Sequence, residues 1–190
     1  MATQLIQDRF PQLLKVVPEL EKKPGTLLYV GANANRHHYM PEFYLVGHEI
    51  TVLEVWQPYI DGIIQKEMIH HIVQGDVRKV DEIALGHNLF DYSFWWHGPG
   101  HIHKEELAET VARLERITSK IVILGCPWGI YPQGTVNGNP FETHESALCP
   151  EDFEELGYET TTLGKKSVID SNIVSVKRLR VAKRRRRKNY

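Results

Sequence analysis

The chain has 190 residues, of which 42% are hydrophobic and 25% charged. That is enough to bury one full core, in the proportions of a soluble globular domain. No apolar run is long enough to span a bilayer, and Met1 to Arg9 lacks the charged-then-apolar pattern of a secretory leader. The net charge of −1 hides an asymmetry: nine of the 23 basic residues fall between Lys177 and Tyr190, a stretch without an acid, so the residues before it carry 14 basic against 24 acidic side chains. An acidic body with a cationic tail points the tail toward an anionic partner. The two cysteines, Cys126 and Cys149, make no disulfide framework and read as reduced thiols of a cytoplasmic protein.

In chain order, Leu5 to Leu20 is amphipathic and is broken by Pro11 and Pro18, giving a helical N-terminal segment over residues 1–23. After the Pro24-Gly25 turn, Thr26 to Gly31 reads as a buried strand, and Glu49 to Val55 as a second. Pro58 suits a helix start and is followed by Ile60, Ile63 and Ile64. Met68 to Gln74 is a third strand, residues 79–86 one or two helical turns, and Phe90 to Trp96 a fourth strand. Leu107, Val111, Leu114 and Ile117 recur at helical spacing behind Glu105 and Glu106. Lys120 to Leu124 is a fifth strand, and Pro150 to Gly157 a short helix stopped by glycine. Tyr158 to Leu163 and Ile173 to Val181 are the last two strands.

Strands alternating with helices imply right-handed crossovers and a mostly parallel seven-stranded sheet with helices on both faces. The last two strands are too close for a crossover, so the seventh runs antiparallel. One α/β domain over residues 1–182 with a basic tail at 183–190 follows. The Gly-, Pro- and Asn-rich segment from Pro127 to Pro150 is a long loop, a length that usually serves function.

Ligands of open parallel sheets sit beyond the carboxyl ends of the strands. Those ends carry Gly31-Ala32-Asn33-Ala34-Asn35, then Glu54, then Asp76, spaced by about one strand–helix unit. Gly31 lets backbone approach a ligand, and Asn33 and Asn35 tolerate left-handed angles. Glu54 can accept hydrogen bonds from both hydroxyls of a ribose, and Asp76 from an adenine amino group. Trp56 or Val77, with Val55 beside them, is placed to flank the base, and the Trp95 indole to pack on the adenine or the substrate.

Over about residues 24–182 this pattern resembles the class I S-adenosylmethionine-dependent methyltransferases, a Rossmann-like family. Their glycine-rich first motif matches Tyr29-Val30-Gly31-Ala32-Asn33-Ala34-Asn35, their ribose acid Glu54, their Gly-Asp pair Gly75-Asp76, and their fourth motif Phe90 to His97. Tyr29 replaces the family's usual acid in the first strand, and Asn33 and Asn35 replace later glycines. The resemblance implies S-adenosylmethionine as cofactor, held by Gly31, Ala32, Asn33, Glu54, Val55, Trp56, Asp76, Val77 and Trp95. A nicotinamide enzyme would carry three glycines in the first loop, and an aminopropyl transferase an acid pair after the fourth strand; neither is present.

Methyl transfer to oxygen or nitrogen needs alignment and a place for a proton. His97 and His101 are the candidate bases, since imidazole titrates near neutrality. Trp96, Tyr131, Glu142 and His144 are candidate substrate contacts, the last three from the long loop. His97, His101 and His103 with Glu142 or His144 match no tight ligand spacing, so no metal is expected. The nucleophilic-Cys pattern of RNA cytosine enzymes lacks its companion Pro-Cys, which leaves Cys126 as a core residue. The expected partner is a small-molecule or sugar- or lipid-linked acceptor. RNA or protein guided by Lys183 to Lys188 is the alternative, as is a binding module without turnover.

Overall fold

The computed structural model of the protein describes residues 10–31, 39–83, 85–86, 89–164 and 171–179. Ala32, Asn33 and the basic run from Lys183 lie outside the described residues. The seven strands are β1 (Thr26–Val30), β2 (Glu49–Glu54), β3 (His71–Gln74), β4 (Phe90–Trp96), β5 (Thr118–Pro127), β6 (Glu159–Gly164) and β7 (Ser171–Arg178). They form one sheet in the order β3-β2-β1-β4-β5-β7-β6. β1 to β5 pair in parallel, and β7 runs antiparallel to both β5 and β6. The expected architecture is therefore observed.

Period-two alternation sends successive side chains to two separate cores. Leu27, Tyr29, Ile50, Val52, Phe94 and Trp96 face one side, where α1 (Phe10–Val16), α2 (Glu19–Lys22) and α3 (Met40–Val46) bring Leu13, Leu20, Met40 and Phe43. Leu28, Val30, Leu53, Trp95, Val122 and Leu124 face the other, beneath Leu107, Val111 and Leu114. Those three belong to α5 (Lys104–Arg116), which follows the short α4 (Gln57–Asp61). Phe90 and Tyr92 break the alternation, and a register shift lies between them.

Acids in the first turn of α5 and Arg113 and Arg116 in its last turn complement the helix dipole. The two arginines also pair with Asp81 and fasten α5 to a 3₁₀ segment at Val77–Glu82. α6 (Pro150–Glu154) ends ahead of Gly157, whose φ of +82° turns the chain into β6. No described helix is long and apolar enough to cross a membrane.

Several boundaries move. Pro11 lies inside α1 and only Pro18 separates helices, because an early proline forfeits a bond the first turn does not make. Lys66–Met68 is a 3₁₀ turn, so β3 begins at His71 and not at Met68. α4 ends at Asp61: Ile63 is buried beyond it, while Ile64 is exposed. α3 went unread in the sequence, although Pro41 near its start and Gly47 at φ +100° just past its end are helix punctuation. β5 is twice the length expected, since β7 pairs along it as far as Pro127.

Phe94 is fully buried against Tyr29, Phe43, Tyr39 and Trp96 at ring separations of 4.9–5.8 Å. Phe94→Ala is expected to destabilise the chain by about 3–5 kcal/mol, the usual range for a deleted core aromatic. Urea denaturation of the purified variant measures it.

Candidate active site

The sheet order reverses direction at β1, which has β2 on one side and β4 on the other. A crevice opens beyond the carboxyl ends at such a switch point. Here it is a cavity of about 230 Å³, lined from β1 by Val30 and Gly31, from β2 by Glu54 and Val55, and from the β3 end by Gly75 to Arg78. Gly31 has φ +77°, and a Cβ there would meet no atom of the described residues within 4 Å. Backbone angle, not crowding, is what favours glycine at this position.

Glu54 is 4% exposed. Its Oε1 accepts from the Trp56 N–H at 2.9 Å. Burial pushes its carboxyl up to about 7, the Trp56 and Val55 backbone bonds oppose the rise, and the Glu142 carboxylate adds to it. Asp76 behaves differently. Burial works to raise its carboxyl, but Arg78 prevails and holds it below the ordinary carboxylate range. The Arg78 backbone N–H donates to Oδ1 at 2.9 Å, Nε reaches both oxygens, and Nη2 donates to Oδ2 at 2.6 Å. Nη1 reaches Glu106 of α5 at 3.1 Å. Arg78 thus orients Asp76 and joins the cavity wall, a role sequence reasoning missed; its position two residues beyond Gly75-Asp76 was the available signal. Val77 also lines the cavity, whereas Trp56 does not: its ring packs on Phe141 at 6.2 Å.

Trp95 and Trp96 both line the cavity yet are 2% and 5% exposed. Trp96 stacks parallel on Phe94 at 5.5 Å and covers Gly125, where any Cβ would collide with the indole. Trp95 sits against Gly98 in the same manner. The indoles are fixed walls. His97 follows at φ +60°, its N–H bound to the Gly125 carbonyl at 2.6 Å. A side-chain-bearing residue held in the left-handed region at a cavity edge stores strain where ligands bind.

His101 ends a 3₁₀ turn, Pro99–His101. Its Nδ1 lies 3.1 Å from the Thr143 carbonyl oxygen. A carbonyl only accepts, so Nδ1 carries the proton and Nε2 is the lone-pair nitrogen of the neutral ring. The His144 ring stands 4.4 Å away at 73°, with Tyr131 5.4 Å beyond it. Burial lowers the His144 pKa, and neighbouring His101 lowers it further.

The long loop supplies part of the cavity wall. Gly100 O accepts from the N–H groups of Glu145 and Ser146, and Gln133 O from that of His144. Tyr131, Glu142 and His144 line the cavity, joined by Gln133, Asn139 and Phe141, which the sequence pattern does not single out. Among the described residues no group of three or more His, Cys, Asp or Glu side chains is placed to hold a metal ion. Cys126 is buried in the second core and burial pushes its thiol up, so it is a packing residue.

No family model matches the sequence, and no curated protein matches it. Solved structures do match, over nearly the whole chain. The 1,6-didemethyltoxoflavin N1-methyltransferase of Burkholderia thailandensis, solved with 1,6-didemethyltoxoflavin and S-adenosylhomocysteine, superposes with a TM-score of 0.63 at 16% identity, covering 92% of this chain and 77% of that one. The N-methyltransferase NodS of Bradyrhizobium japonicum gives 0.62 at 14%, covering 92% and 96%. An S-adenosylmethionine-dependent methyltransferase of Archaeoglobus fulgidus gives 0.60 at 12%, covering 90% and 94%. The fold is that of the class I methyltransferases. In this fold the cavity lies at the strand ends that the sequence motifs marked.

Glu54 is ionised in both the folded and the unfolded chain above pH 7, and burial makes that costly only when folded. As pH falls from about 7 toward the ordinary value of 4.5, the folded chain takes up a proton first and gains stability. Glu54→Gln is expected to stabilise the ligand-free protein by up to about 3 kcal/mol at pH 8, with the gain vanishing near pH 4.5. Denaturant titrations at the two pH values test the sign.

Proposed function

We propose that the chain binds S-adenosylmethionine and transfers its methyl group to a small-molecule acceptor. The observation that carries this reading is Glu54: a buried carboxylate at the β2 end, facing a cavity, with its pKa raised by burial. Two vicinal hydroxyls would supply the donors such a group needs. Gly31 allows backbone contact beside it, and Asp76 with Arg78 presents a polar edge where the second wall of a nucleoside would lie. Tyr29 is 2% exposed within the aromatic core, so β1 supplies no carboxylate to the amino-acid end of the cofactor.

The cofactor supplies an electrophilic methyl group. The chain's residues supply alignment and proton removal. Trp95 and Trp96 confine the acceptor side, and the loop from Tyr131 to His144 limits water. His101 Nε2 is the base, because the Thr143 carbonyl holds the proton on the other nitrogen. His97 and Tyr131 position the acceptor. The small-molecule class is supported by the size of the cavity, about 230 Å³, and the neighbouring folds include an enzyme named for a small acceptor.

Calorimetry with S-adenosylmethionine is expected to show binding that Glu54→Ala weakens by at least about tenfold and Asp76→Ala measurably. Labelled methyl from the cofactor is expected to appear in the low-molecular-weight fraction of a cell extract, and His101→Ala to slow its transfer by about a hundredfold. Label confined to RNA or protein would move the acceptor to a macromolecule, and binding with no label anywhere would identify a module without turnover.

A further inference from the structure

The loop between β5 and α6 does more than cover the acceptor side. Phe141 packs on Trp56 at 6.2 Å, and the Val136 carbonyl accepts from the Tyr59 hydroxyl at 3.5 Å. Both partners lie just past β2. Asn139, 2% exposed, accepts from the Phe141 N–H at 2.9 Å and sets the 3₁₀ turn Pro140–Glu142. Gln133 Nε2 donates to the Glu142 carbonyl at 2.8 Å and to its Oε2 at 3.1 Å, which fixes the direction of that side chain. Glu142 lines the same cavity as Glu54, each bears on the titration of the other's neighbour Tyr59, and Glu142 bears on Glu54 itself.

We propose that Glu142 is a cofactor-side residue: the loop carries its carboxylate over the end of β2, where with Glu54 it favours a cationic sulfonium over the neutral thioether left after transfer. This rests on the cofactor reading above. The charges around the pair support it. From α4 comes the neutral Tyr59 hydroxyl, and from beyond β3 come Asp76 and Arg78, which neutralise each other at 2.6 Å. His97, His101 and His144 stand on the β4 side. Two carboxylates sharing a low-dielectric cavity repel, and a cation bound in the same cavity offsets that cost. Loss of the methyl group leaves the bonding pair on sulfur and the positive charge gone, so the same two acids then hold the product less well. Glu142 thereby couples chemistry to product release, where the sequence alone assigned it to the acceptor.

Calorimetry on the full chain with S-adenosylmethionine and S-adenosylhomocysteine tests this. Glu142→Gln keeps the Gln133 contact and removes the charge. It is expected to weaken S-adenosylmethionine on the order of tenfold and leave S-adenosylhomocysteine within about twofold. Glu142→Asp, which restores the charge, is expected to recover most of the preference. Equal weakening of both ligands, no change in either, or an Asp variant that behaves like Gln would overturn the inference while leaving the cofactor assignment standing. If neither ligand binds the unaltered chain, the cofactor assignment falls and this inference with it. A thermal melt of each variant separates loss of charge from loss of fold.

Discussion

β1 is hydrogen-bonded to β2 on one side and to β4 on the other, and both pairings are parallel. Everything chemical in the molecule hangs on that ladder. Parallel pairing places all three carboxyl ends at one edge of the sheet, and the opposite directions of the two crossovers leave a crevice there. It also requires both faces of the sheet to be covered, so the strands read as apolar runs and the polar residues collect at the ends. Glu54, Asp76 and His97 are polar because they stand where the strands stop.

Packing then decides which of these groups can move. Trp95 and Trp96 are pressed against Gly98 and Gly125, and His97 is left in a left-handed conformation by the strand that ends before it. This wall of the cavity is therefore built from the core outward, and its shape is set by Phe94 and Tyr39 as much as by residues that face the cavity. Arg78 does the same for the other wall. It joins Asp76 to Glu106 and so ties the cavity floor to α5.

Electrostatics divides the cavity into two ends. Glu54 and Glu142 are the acids of one end, and the His101 and His144 rings, 4.4 Å apart, are the imidazoles of the other. The first suits a cationic cofactor and the second suits removal of a proton. The loop from Trp128 to Cys149 contributes residues to both, Glu142 to the first and His144 to the second.

The sequence by itself determined the sheet, its strand directions and the three strand ends, because period-two burial and the spacing of one strand–helix unit are local properties. Gly31, Glu54 and Asp76 were legible for that reason. Helix α3 goes unread and β3 begins later than its apolar run suggests, because short segments yield to tertiary packing. Only the tertiary structure decided that Trp56 packs on Phe141, that Arg78 clamps Asp76, that Thr143 selects the tautomer of His101, and that Glu142 lines the same cavity as Glu54. Apart from the Arg78 clamp, each joins residues far apart in the chain. Such contacts carry no periodicity to read, and they exist only once the long loop has closed over the strand ends.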